Sequence, residues 1–96
     1  MPAVTRLGDL DTGHGAWPPR TSTSGSPNVF VNGIQVHRKS DTWAVHCDPS
    51  PSCHAGALAE GSATVFVNGL PIGRVDDPVD CGSLVAAGSG NVFAGG

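Results

Sequence analysis

Short apolar runs alternate with polar turns along this chain, and nearly the same run is written three times. Asn28-Val29-Phe30-Val31-Asn32-Gly33 returns as Thr64-Val65-Phe66-Val67-Asn68-Gly69 and, clipped, as Asn91-Val92-Phe93-Ala94-Gly95-Gly96. β-Branched and aromatic residues suit a pleated surface, so Val29 to Val31 and Val65 to Val67 read as strands. Asn32-Gly33 and Asn68-Gly69 accept positive φ at both positions and predict type I′ hairpins. The returning strands are Ile34 to Arg38, where Ile34 and Val36 alternate with Gln35 and His37, and Leu70 to Arg74. A Gly-Ser pair precedes each copy: Gly25-Ser26, Gly61-Ser62 and Gly88-Ser89. An Arg and an Asp three residues apart recur as Arg6/Asp9, Arg38/Asp41 and Arg74/Asp77. The first of these pairs has no strand copy before it, so its partner is expected to be the copy at the opposite end of the chain. Repetition at fixed spacing dictates architecture. It predicts three strand–turn units, one of them split between the termini.

Between the repeats the pattern weakens. Thr12 to Pro27 reads as loop, with Pro18-Pro19 excluding helix. Thr42 to His54 reads as irregular. Ala55 to Glu60 is expected to make one helical turn, and Leu84 to Ala87 occupies the equivalent place before Gly88-Ser89. No amphipathic pattern of helical length occurs, and the fold class is all-β with short strands and long loops.

Composition narrows this further. At 96 residues the chain is expected to be a single domain, residues 1–96. A chain of this size buries only about 60–65% of its unfolded surface, so the core is thin. Such a domain often needs a metal, a disulfide or a partner to hold it. With 5 Lys and Arg and a net charge of −3, nucleic acid is not an expected partner, because phosphate contacts dominate that affinity. No apolar run approaches the ~20 residues of a membrane span. Arg6 is not followed by an apolar segment of the signal-peptide kind, so synthesis and folding in a reducing cytoplasm are expected. Three cysteines, an odd number, fit a disulfide framework poorly and favour metal ligation for at least one.

The repeat register then brings out candidate ligands. His14 follows Asp9 by five residues, His46 follows Asp41 by five, and Cys81 follows Asp77 by four. If three units surround one axis, these side chains converge. His54 is the best fourth ligand, with Cys47 or Cys53 as substitutes; those two cysteines could instead pair with each other if oxidised. A His₃Cys set is a closed four-ligand arrangement of the structural zinc kind. Zinc is preferred over iron or copper because the set needs no redox change. His37 reads as a strand-surface histidine, since its counterpart in the second copy is Gly73. Trp17 and Trp43 are expected to pack over the short core.

Catalytic readings fare poorly, and the chain is expected not to be an enzyme. Cys53 and His54 are sequence neighbours, whose side chains point apart in extended backbone. The Gly-Ser pairs lack the strand-to-helix context of a nucleophile elbow. Gly88-Ser89-Gly90 lacks the Lys and helix of a phosphate-binding loop. Asp76, Asp77 and Asp80 read as turn residues.

Taken together, the repeated Gly-Ser and Val-Phe-Val-Asn-Gly motifs, Pro71-Ile72-Gly73-Arg74 with its counterpart Gln35-Val36-His37-Arg38, and Asp80-Cys81-Gly82 resemble a PAAR-repeat protein. The Pro-Ala-Ala-Arg segment that names the family is not literal here: Pro71 and Arg74 remain in one copy, only Arg38 in the other. The resemblance covers essentially the whole chain. It implies a small cone of short β-hairpins with pseudo-threefold repeats and a metal-stabilised apex, where one zinc ion is held by three histidines and a cysteine. Carried over residue by residue, the ligands are His14, His46, His54 and Cys81. The cone's base is implied to sit as a monomer on a homotrimeric β-helical spike (VgrG-like, or a phage central spike) and to meet the target envelope transiently. Val29, Val31, Val65, Val67, Val92 and Ala94 are candidates for that base. Expected locations are the tip of a phage tail baseplate or of a type VI secretion spike. No effector segment is expected, which suits a tip that only sharpens. The competing reading is a stand-alone small zinc-binding protein.

Overall fold

The computed structural model describes residues 1–50 and 52–96; Pro51, which belongs to the stretch read as irregular, lies outside the described residues. Six short strands form three separate antiparallel pairs: β1 (Phe30–Val31) with β2 (Ile34–Gln35), β3 (Thr42–Cys47) with β4 (Cys53–Ala57), and β5 (Phe66–Val67) with β6 (Leu70–Pro71). Asn32 and Gly33 have φ of 55° and 76°, and Asn68 and Gly69 have 54° and 78°, the left-handed pairs that a type I′ turn requires. Phe30 pairs with Gln35 and Phe66 with Pro71. At the corresponding place in the third copy Phe93 pairs with Ala3. The N-terminus is therefore the returning strand of the last copy, and the split unit closes as the repeats predict.

The three units meet at an axis. The Thr5 amide donates to the Gly73 carbonyl (3.0 Å), the Gly73 amide to His37 (2.9 Å) and the His37 amide to Thr5 (3.2 Å), a closed ring of three backbone hydrogen bonds. A Cβ on Gly73 would lie 2.8 Å from Leu58 Cδ2 and 2.9 Å from Thr5 Cγ2, so the axis has room for one large side chain. His37 supplies it, and is fully buried. The surface position expected for His37 is thus wrong. Its register faces inward, and burial between units overrides the alternation read from one strand.

Val4, Val36, Val67, Ile72 and Ala94 form one apolar cluster, and Trp43, Leu58, Val79 and Val85 form a second. Each Arg–Asp pair closes a turn, with Asp accepting both from its Arg guanidinium and from the same residue's backbone amide. The Arg then reaches into the next unit: Arg6 donates to Asn32 Oδ1 (3.2 Å), Arg38 to Asn68 Oδ1 (3.0 Å) and Arg74 to the Gly95 carbonyl (3.0 Å).

Two further expectations change. Residues 42–57, read as irregular followed by a helical turn, form the longest hairpin of the chain. Ala and Gly are weak strand formers; just past β4 the Leu58 amide donates to the Asp41 carbonyl and the Ala59 amide to the Pro78 carbonyl, which tie the end of the hairpin to its neighbours. Of the residues proposed for a base, Val67 and Ala94 are buried in the first cluster and Val31 and Val92 pack against it. Facing out instead are Phe30 (54% exposed), Phe66 (56%) and Phe93 (50%), with Val29 and Val65 beside them.

Candidate metal centre

Beyond the second cluster, four side chains from four segments converge. One donor atom each from His14, His46, His54 and Cys81 lies within 4.8 Å of all the others. His46 and His54 stand directly opposite on β3 and β4. His14 comes from the loop before Trp17, where two backbone hydrogen bonds join residues 14 and 17. That loop is anchored by the buried carboxylate of Asp11, which accepts from the amides of Gly13 (3.1 Å) and Arg20 (2.8 Å). Cys81 sits in a turn closed by the Gly82 amide on the Val79 carbonyl (3.0 Å). Gly56 makes this approach possible, since a Cβ there would lie 3.2 Å from Cys81 Sγ and 2.8 Å from Val79.

The polar atoms within the cluster point at one another. His54 Nε2 is 2.9 Å from His14 Nε2 and 2.7 Å from His46 Nε2, and Cys81 Sγ is 3.9 Å from His46 Nε2. His46 Nδ1 lies 2.8 Å from the Pro18 carbonyl. A carbonyl only accepts, so that nitrogen carries the proton and His46 Nε2 presents its lone pair to the cluster. Such an outer hydrogen bond is what commonly fixes the tautomer and orientation of a metal-bound histidine. Desolvation lowers the His54 pKa, and the neighbouring His46 and His14 lower it further, which favours the neutral imidazole that metals bind. Converging nitrogen lone pairs and a thiol repel unless a cation lies between them. Tetrahedral zinc, with bonds of about 2.0–2.1 Å to nitrogen and 2.3 Å to sulfur, separates its ligand atoms by about 3.3–3.8 Å. Shifts well under 1 Å at the nitrogens give that spacing. The donor set fits a metal ion.

The structure thus brings together all four residues singled out in the sequence. It also pairs Cys47 with Cys53 in a disulfide, against the expectation that an odd cysteine count disfavours one. These two are the next cross-strand pair after His46 and His54 and are exposed, whereas His46 is buried. Equal one-residue offsets from two histidines facing across a turn were the available signal. Sequence reasoning also missed Trp17. Its ring stacks on His14 and on His54, with centroids 5.1 and 5.2 Å apart, and its indole N–H donates to the Ser52 carbonyl (2.9 Å). Trp17 therefore packs against the imidazoles rather than the core; Trp43 is the core tryptophan.

Comparison with known proteins bears on this arrangement. The model of the PAAR motif family matches residues 12–87, a span that includes all four cluster residues. Two curated relatives from Pseudomonas aeruginosa are each 39% identical over 77 residues: the NAD(P)(+) glycohydrolase toxin Tse6 of strain PAO1 and the (p)ppApp synthetase toxin Tas1 of strain UCBPP-PA14. Each match covers 75% of this chain and 18% of the relative, so the chain spans under a fifth of the length of these toxins.

Proposed function

The chain belongs to the PAAR motif family, and from that premise we propose that it is a structural spike tip, a single zinc-stabilised domain that caps a trimeric β-helical spike of a contractile injection machine. The observation that carries this reading is one exposed phenylalanine at the same place in each of three similar units of a single chain, Phe30, Phe66 and Phe93. A spike of three identical chains ends in a threefold surface, and one chain matches it everywhere only by imitating that symmetry. Exposed aromatic residues repeated at equivalent places suit an interaction face, because each buries a large apolar area when covered.

The second apolar cluster adjoins the His14, His46, His54 and Cys81 group through Cys81. Little core is available there, and a zinc ion bound by these side chains supplies loop rigidity that packing does not. A stiff point suits a part that transmits contraction force to an envelope. We assign this segment no catalytic step. The chemistries named for the two toxins are properties of those proteins, most of whose length lies outside the match. The setting is a type VI secretion spike or a phage tail tip.

Co-expression with the trimeric spike of the source organism tests the reading. The expected product is a complex of one chain per spike trimer, lost when Phe30, Phe66 and Phe93 are all replaced by Asp while zinc content is unchanged. A zinc-loaded protein with no affinity for such a trimer, by light scattering after size-exclusion chromatography, returns the stand-alone zinc protein as the better reading.

A further inference from the structure

The hairpin that carries two of the four cluster residues ends in a bond that reductants can break. Cys47–Cys53 is the last cross-strand pair of β3 and β4, and the pair before it is His46–His54. Between the cysteines the turn is held by Asp48, whose carboxylate accepts from the amides of Ser50 and Ser52. The Ser52 carbonyl in turn accepts from the Asp48 amide (2.9 Å) and from the Trp17 indole (2.9 Å). Trp17 is thereby fixed flat against His14 and His54. One covalent bond thus supports three things: the spacing of His46 and His54, the Ser52 carbonyl, and through it the tryptophan that covers two imidazoles. Both cysteines are exposed, so reductants reach the bond.

We propose that the Cys47–Cys53 bridge is a redox-controlled lock on the metal centre. Closed, it seats Trp17 and keeps the ion in place; open, it lets the hairpin end fray and the ion exchange. The proposal rests on the metal reading above and adds a control that the ligand set alone does not contain. Opening consumes two electrons and two protons from a dithiol: the Sγ–Sγ bond breaks, two thiols form, and the reductant departs as its own disulfide. Closing runs the reverse, with a disulfide oxidant of the glutathione class accepting the electrons. Cys81 takes no part, since its sulfur belongs to the cluster. Trp17 acts as a positioning residue, through the orientation of the imidazoles.

The test is the rate at which zinc-loaded protein surrenders its ion to a coloured chelator, before and after reduction with a phosphine, which takes the place of the dithiol and ends as its oxide. Outer-shell partners of metal ligands typically change metal affinity about 10–100-fold, so reduction is expected to speed zinc loss at least ~10-fold. The Cys47→Ser/Cys53→Ser double variant starts at the fast rate and does not respond to the phosphine. Trp17→Leu loses zinc fast with the bridge intact, and Trp17→Phe, which keeps a ring against the imidazoles, recovers part of the slow rate. Equal rates for oxidised and reduced wild type overturn the lock, as does a double variant that the phosphine still accelerates. Wild type that holds no zinc in either state overturns the metal reading and the lock with it, so the two failures are distinct.

Discussion

Ser62 donates its hydroxyl hydrogen to the backbone carbonyl of Gly95, at a junction where the other two units use an asparagine side chain. Ser26 donates to Asn68 Oδ1 and Ser89 to Asn32 Oδ1, each at 2.6 Å. Gly95 stands in the third copy where Asn32 and Asn68 stand in the others, and its carbonyl takes over the acceptor role, including the contact from Arg74. The threefold pattern survives a loss of side chain because an acceptor is needed at that point, and the backbone provides one.

Each of these serines also accepts from a backbone amide: Val29 on Ser26, Val65 on Ser62 and Val92 on Ser89. Replacing one by alanine leaves that part-buried amide without its acceptor and removes the hydroxyl's own bond across the junction, which costs about 1 kcal/mol or more. Ser26→Ala, Ser62→Ala and Ser89→Ala are expected to lower stability by similar amounts in urea unfolding of the zinc-loaded protein. A loss at only one junction would show that the units are not energetically equivalent.

Gly73 predicts a second outcome. An added Cβ meets Leu58 Cδ2, Thr5 Cγ2 and the His37 carbonyl, all at 3.0 Å or less. Overpacking of this kind costs typically about 1–3 kcal/mol. Gly73→Ala should lower the urea midpoint with no change in the m-value, whereas an undiminished midpoint would show that the axis yields to the extra carbon.

His37 gives a pH dependence. Burial holds its pKa below the ordinary histidine value, with the Ser24 carbonyl on Nδ1 opposing the shift without cancelling it. Its Nε2 finds no acceptor among the described residues, so a proton there has nowhere to donate. The unfolded chain therefore binds a proton that the folded one refuses. The stability that His37 contributes is fully present above the unfolded pKa of about 6.5 and is lost as pH falls from there toward the folded value. An NMR titration of the His37 ring should place its midpoint below the ordinary histidine value; a midpoint at or above that value would contradict the burial argument.

Arg38 should not tolerate lysine. Its guanidinium meets both oxygens of Asp41 (2.8 and 3.0 Å) and also Asn68. A lysine ammonium cannot reproduce a planar fork. Arg38→Lys is expected to cost about 1–2 kcal/mol, near the value of one charged hydrogen bond. A double-mutant cycle with Asn68→Ala measures the part that crosses between units.

What the sequence revealed followed the repeat. The Asn-Gly turns, the Arg–Asp pairs, the closure of the split unit and the convergence of His14, His46 and Cys81 all come from positions that recur at the same or nearly the same offset. His54 came from its loop position instead, and the resemblance carried it to the same place. The β3–β4 hairpin has only bridge-length counterparts among the described residues of the other units, Leu10 with Thr21 and Pro78 with Leu84, and just past β4 the amides of Leu58 and Ala59 are taken by Asp41 and Pro78, tertiary contacts that local propensity does not record. His37 looked exposed because strand alternation describes one sheet, while its environment is the junction of three units. The place of Trp17 over His14 and His54 depends on the loop anchored by Asp11, and a single aromatic residue in a Pro-rich stretch gives no periodic signal. Pairing of Cys47 with Cys53 stood in the sequence only as an alternative to ligation, because the odd cysteine count was weighed against it.

The account stands most directly on metal content. Elemental analysis of protein purified without chelator should find one zinc per chain in wild type, lost or much reduced in each of His14→Ala, His46→Ala, His54→Ala and Cys81→Ala. Wild type without metal, or a His54→Ala variant that keeps its full zinc, would contradict the four-ligand site.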